Sequence, residues 1–404
     1  MPRQLRSRLG ALPLLLALVL SLPACDSGDG EASDDRILFG VNYTRLFAAP
    51  TAGEIQAVRA DWAARATASS NASVVASTTV DGATVSVVRH TVTAAGGGSV
   101  THYGVVRVPA GAQNLPALVV HHGGDNGFAI SATTSNTGVR QFAAVFQGLA
   151  GSTVQVWPVY RSETLSTTGF PALGGPYTAD GDESPWDYDV DDAIALLDAV
   201  QGLDAFAASL DDTRAAAIGF SRGGNTAALH AVRDPAVTAV VDYYGPTDFF
   251  NDDAQLLATG VLTGNPGALG LPGAQFLFDN VLNPLRNADG TYNADADYAN
   301  ARLAVVRRSA SAFEADLPNT QVHHHVLDGV VPVGFSRAFA AAAEGGAGGS
   351  FEAFFYGTEG GARGGQYHAP EGTDEMRASI PRVESFLTAQ FGAGAAVRRP
   401  ALAL

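Results

Sequence analysis

The sequence predicts an α/β protein with a mainly parallel central sheet, helices on both faces, and antiparallel strands at its N-terminal edge. Three observations carry this. Short continuous apolar runs, as strands buried on both faces require, recur at 117–122, 153–160, 215–220, 237–244 and 321–327. Helix-compatible stretches near 136–149, 187–201, 222–233, 333–343 and 374–391 alternate with them. Ahead of these, 72–80, 84–92 and 100–108 are Val- and Thr-rich with a period of two, separated by Asp81-Gly82 and Gly96-Gly97-Gly98, which predicts a meander.

From the N-terminus, a basic start is followed by an apolar run from Leu9 to Leu22 and then Pro23-Ala24-Cys25. The run is too short to span a bilayer and reads as a secretory signal over 1–24. Leu22-Pro23-Ala24-Cys25 resembles the bacterial lipoprotein box, in which the Cys carries the lipid. The expectation is an exported protein in the bacterial cell envelope (periplasm or cell surface), lipid-anchored at Cys25, the only Cys in the chain. Residues 25–36 read as an acidic tether, and 37–70 as a helical segment with Ile55, Val58 and Trp62 on one face. The body spans 71–391. Asn, Asp, Gly and Pro break its rhythm at about 250–300, an insertion or lid, and 392–404 read as a loose tail.

Composition narrows the function. The 404 residues are 46% hydrophobic and 16% charged, too apolar for a disordered chain. All 24 basic residues are Arg, set against 40 acids for a net charge of −16, which excludes an electrostatic nucleic-acid binder. One Cys excludes an internal disulfide and a Cys-rich zinc site.

Gly219-Phe220-Ser221-Arg222-Gly223 lies between an apolar strand and a helix-compatible stretch, the G-x-S-x-G pattern that raises a nucleophilic serine on a tight strand-to-helix turn. Such a serine needs a base, an acid to orient that base, and oxyanion donors. In chain order the acid is Asp328, in Leu327-Asp328-Gly329-Val330-Val331-Pro332, and the base His368, in Gly365-Gln366-Tyr367-His368. Donors are expected from Gly124, in His121-His122-Gly123-Gly124, and from the N–H of Arg222. Asp248, after the strand 237–244, competes for the acid role; the Val-Pro after Asp328 favours Asp328.

With these motifs the chain, over about 100–391, resembles the α/β-hydrolase superfamily, closest to the prolyl oligopeptidase and dipeptidyl-peptidase catalytic domain. The resemblance implies Ser221 as nucleophile, His368 as general base and acid, Asp328 as its orienting partner, and Gly124 and Arg222 as oxyanion donors. There is no room for the β-propeller of the large relatives, His122 stands where some carry Tyr, and Phe220 stands where Trp or Tyr is common. The implied function is an exported serine hydrolase acting on carboxylic ester or peptide bonds, with a small-molecule substrate and no cofactor. The alternative is a non-catalytic surface lipoprotein that binds through this fold.

Two clusters invite other readings. His323-His324-His325 suggests a metal, but neighbouring strand residues face opposite sides, so no metal site is expected. The acids between Asp180 and Asp192 lack calcium-loop order and read as a solvated helix start. Arg161 and Glu163 read as pocket residues or a surface ion pair.

Overall fold

The computed structural model describes residues 35–94, 97–131 and 138–392. The signal and lipid-box residues, most of the tether and all but the first residue of the tail lie outside them.

Among the described residues, nine strands form the central sheet: β1 (Ser70–Val80), β2 (Ala83–Thr93), β3 (Ser99–Val108), β4 (Leu115–His121), β5 (Val154–Pro158), β6 (Leu210–Phe220), β7 (Val237–Tyr243), β8 (Asn319–His325) and β9 (Phe351–Tyr356). Their spatial order is β9-β8-β7-β6-β4-β5-β3-β2-β1. From β5 to β9 neighbouring strands are parallel; β1, β2 and β3 add an antiparallel edge, with β3 antiparallel to β5. The main helices are α1 (Ala52–Ala63), α2 (Val139–Val145), α3 (Tyr188–Gln201), α4 (Arg222–Arg233), α5 (Asp252–Leu262), α6 (Ala299–Val306), α7 (Gly334–Glu344) and α8 (Ser379–Gly392). None of the described helices is long and apolar enough to cross a membrane.

The apolar runs become strands because both faces are covered. In β4, Leu118 and Val120 pack with Phe142 of α2 and Leu387 of α8, whereas Ala117 and Val119 pack with Leu196 and Leu197 of α3 and Ala227 of α4. Strand alternation sends successive side chains to opposite layers. Trimming one such residue, as in Leu118→Ala, costs about 2–5 kcal/mol through the lost burial and the hole left behind.

Two regions differ from the sequence expectation. The 37–70 segment is helical only in part: Ile37–Leu38 pairs with Val41–Asn42, a short turn of helix covers Tyr43–Leu46, and α1 follows behind a Thr51/Glu54 capping box. The 250–300 insertion is largely helical, with α5 followed by short helical turns through Leu285 and then α6. Its Val261, Val281, Leu282 and Leu285 pack with Val41, Tyr43 and Leu46, so the two regions fold as one cap. Arg302 of α6 clamps that cap. Its guanidinium donates to the carbonyls of Arg45, Leu46, Ala48 and Ala49 and to both carboxylate oxygens of Glu54. The bonds from Arg302, joined by those from Thr51, outweigh the opposing burial and hold the Glu54 carboxyl down at about 2.

Candidate active site

The carboxyl ends of the parallel strands share one rim, where an open α/β sheet gathers its functional loops. His122 to Gly124 follow β4, Glu163 follows β5, Ser221 follows β6, Tyr244 follows β7, Asp328 follows β8 and His368 lies in the loop after β9.

Ser221 has φ +57° and ψ −126°, a region that a side-chain-bearing residue occupies at a cost of about 1–3 kcal/mol. Its N–H donates to Tyr243 O at 2.9 Å and its carbonyl accepts from Gly224 N at 2.8 Å, which pins the turn. The flanking glycines are required by proximity. A Cβ on Gly219 would lie 1.9 Å from Gly223 O, and one on Gly223 would lie 2.2 Å from His121 O.

Asp328 is fully buried, and its carboxylate is almost saturated. Oδ1 accepts from Val330 N (2.7 Å) and Val331 N (3.1 Å); Oδ2 accepts from His368 Nδ1 (2.6 Å), with His324 Nε2 at 3.5 Å. Burial alone would raise its pKa, but the hydrogen bonds from His324 and His368 prevail and keep it well below the usual carboxylate range. The two loops are tied together: Gly364 N donates to Leu327 O and Gly329 N to Gly364 O. Because Nδ1 must donate to the carboxylate, the neutral His368 ring carries its lone pair on Nε2. That atom is buried and has no hydrogen-bond partner among the described residues. The Tyr244 ring packs on the imidazole at 4.2 Å between centroids.

Ser221 and His368 line one cavity together with His122, Gly123, Gly124, Phe220 and Tyr244. Among the described residues no hydrogen bond joins Ser221 to His368. Asp248 is not part of this group: its Oδ1 accepts from Phe250 N and Asn251 N in the turn before α5.

Gly124 has φ +80°, and its peptide is fixed from behind. His122 Nδ1 donates to Gly123 O at 3.1 Å, so the trans peptide aims the Gly124 N–H the opposite way. The Arg222 N–H heads α4, where helix geometry leaves it without an internal acceptor.

A buried network that the sequence did not reveal lies beneath. The Arg222 guanidinium, wholly buried, contacts Glu163 Oε1 and Asp189 Oδ2 at 2.6 Å each, donates to Gly124 O at 3.0 Å and stacks on Tyr160 at 5.1 Å. Burial raises Glu163 to about 8 and Asp189 to about 6, despite the partial offset from Arg222. Burial lowers His122 to about 3. Glu163 Oε2 and His122 Nε2 lie 3.3 Å apart, with no other partner among the described residues. Since Nδ1 of His122 is already a donor, both facing atoms are acceptors unless one proton lies between them.

Of the acids expected to be solvated, Asp180, Asp182 and Glu183 are exposed, whereas Asp187, Asp189, Asp191 and Asp192 at the start of α3 are buried. Asp187 contacts Arg65 at 2.7 Å, Asp191 contacts Arg65 and Arg233, and Asp192 contacts Arg161 at 2.6 Å, all of these carboxylates being buried. Cations from distant segments converge there, and guanidinium groups suit such multidentate burial. Arg161 and Glu163 are likewise buried rather than a surface pair. The three consecutive histidines have separate roles: His323 bonds Tyr356 and Gln321, His324 bonds Ser336 and Val331 O, and His325 accepts from Leu327 N. Among the described residues no cluster of three or more His, Cys, Asp or Glu is arranged to hold a metal.

No protein-family model matches the chain, and no curated protein matches it in sequence. Solved structures match it in shape. Acetyl xylan esterase 1 of Thermoanaerobacterium sp. JW/SL YS485 is 13% identical over 85% of this chain and 97% of its own, with a TM-score of 0.54. The rice cell wall degrading esterase LipA of Xanthomonas oryzae is 14% identical over 80% and 99%, with a TM-score of 0.51. Dipeptidyl peptidase 4 of Porphyromonas gingivalis is 14% identical over 74% of this chain and 35% of its own, at 0.45. The strand order and the first two matches establish an α/β-hydrolase fold.

Proposed function

We propose that this chain is a serine hydrolase that cleaves carboxylic esters through an acyl-enzyme on Ser221. The observation that carries the reading is His368. Its Nδ1 is committed to Asp328 at 2.6 Å, while its Nε2 is uncommitted beside a cavity that Ser221 also lines. In the first step Ser221 Oγ bonds to the ester carbonyl carbon and its proton passes to His368 Nε2. The carbonyl oxygen takes the negative charge, facing the N–H groups of Gly124 and Arg222. Collapse breaks the bond to the alcohol oxygen, which leaves with the proton from His368. Water then attacks the acyl-enzyme, giving its proton to His368, and the acid departs as Ser221 recovers its hydrogen. Each oxyanion donor in such a site contributes about 3 kcal/mol to the barrier reduction, which gives the braced Gly123 peptide its purpose.

The esterase names of the Thermoanaerobacterium and Xanthomonas structures, each with a TM-score above 0.5, favour esters over peptide bonds. A binding scaffold has no use for a strained serine or for a buried carboxylate saturated around a histidine. From the sequence alone, the proposal extends to export and lipid anchoring at Cys25. A fluorophosphonate probe tests the chemistry: it should label the folded chain on Ser221 and leave Ser221→Ala unlabelled. A folded wild-type chain that resists the probe and every activated ester overturns the proposal.

A further inference from the structure

Ser221 lies at the junction of two cavities, both lined mostly by apolar side chains. The one shared with His368 also carries Gln141 and Glu371. The other runs under the cap, and apart from Ser221 and Arg222 every residue on its wall is apolar. The Arg222 guanidinium is occupied by Glu163, Asp189 and Gly124 O, and the Trp186 indole N–H by Arg222 O at 3.0 Å, so neither offers a free polar group there. The wall draws on parts far apart in sequence: Phe47 before α1, Trp186 before α3, Ala258 in α5, Leu277 in the short turns after it, and Phe335 in α7.

We propose that this second cavity is an acyl pocket and that the preferred substrates are esters of aliphatic acids of about five or six carbons rather than acetyl esters. This rests on the serine-hydrolase reading above. The assignment of sides follows from the proton. The leaving alcohol must be protonated by His368, which lines the first cavity and not the second. The acyl chain therefore extends the other way, under the cap. Its chemistry matches a wall with nothing to hydrogen-bond, and such a wall gives a sugar or a peptide amide no partner. Size sets the length. The cavity measures about 110 Å³, against about 150 Å³ for an apolar cavity that holds one benzene, so about four or five carbons fit beyond the carbonyl.

The test is a series of p-nitrophenyl esters from acetate to dodecanoate on the full chain. Each methylene buried should raise kcat/KM about fourfold. The expected result is a rise on the order of 10²-fold from acetate to hexanoate, levelling or falling beyond hexanoate. Ala258→Phe, which fills the cavity from the α5 side, should lower the hexanoate-to-acetate ratio at least tenfold, with circular dichroism to confirm folding. An optimum at acetate, or a leucyl or phenylalanyl p-nitroanilide cleaved better than any ester, overturns the acyl pocket. Either outcome leaves Ser221 chemistry standing, whereas no turnover of any substrate together with no fluorophosphonate labelling removes the underlying reading instead.

Discussion

Glu163→Gln isolates the buried network behind the His122–Gly124 loop, the proposed oxyanion loop. In the folded chain Glu163 is raised from 4.5 to about 8 by burial. The folded state thus holds this proton more tightly than the unfolded state. The stability it contributes is complete below about pH 4.5 and is lost as pH climbs through about 8. At about 1.4 kcal/mol per pKa unit, the loss from pH 5 to pH 9 is about 4 kcal/mol. Glutamine retains both contacts, its oxygen accepting from Arg222 and its amide donating to His122 Nε2, and it does not titrate. Urea unfolding should therefore find the variant within about 1 kcal/mol of wild type at pH 5 and about 4 kcal/mol more stable at pH 9. Esterase turnover provides an independent readout. Deprotonated Glu163 sets two acceptors face to face and loosens the His122 ring that holds Gly123 O, so kcat should decline above pH 8 in wild type and not in the variant. If Glu163→Gln is less stable by the same amount at both pH values, Glu163 is an ordinary ionised partner of Arg222 and the shared-proton argument fails.

Asp328→Asn should lower kcat by about 10⁴ with the fold intact, because the amide no longer fixes the His368 tautomer, while Asp248→Asn should stay within a few-fold of wild type; steady-state kinetics on one activated ester compares them. Arg302→Met removes the clamp on the carbonyls of 45–49 and on Glu54, and thermal or urea unfolding should show a loss of about 3 kcal/mol. Cys25→Ala, expressed with the native signal in a bacterial host, should move the protein from the detergent phase to the aqueous phase in Triton X-114 partitioning. An unchanged partition would exclude the lipid anchor.

The fold was legible in the sequence because its signals are local. A strand buried on both faces is mostly apolar, as β4 and β7 are, and the turn at Ser221 requires glycine on either side whatever the rest of the chain does. Both constraints act within a few residues, so the parallel sheet, its antiparallel edge and the tight turn at Ser221 could be read directly. The cap was less legible. Its helical turns are short, and they are held by Arg302 reaching back some 250 residues to Glu54 rather than by any repeating pattern.

The rest depended on three-dimensional convergence. Asp187, Asp189, Asp191 and Asp192 form an acidic helix start by sequence, and only the fold brings Arg65, Arg161, Arg222 and Arg233 to bury them. His324 is one of three identical neighbours until the turn after β8 brings Asp328 back within 3.5 Å of it. The sequence by itself determined which backbone could form and which side chains carry reactive groups, since those follow from short-range sterics and residue chemistry. Tertiary structure alone decided which charges are neutralised, which proton is shared and which apolar side chains enclose a cavity, because each depends on groups that meet only when distant segments pack.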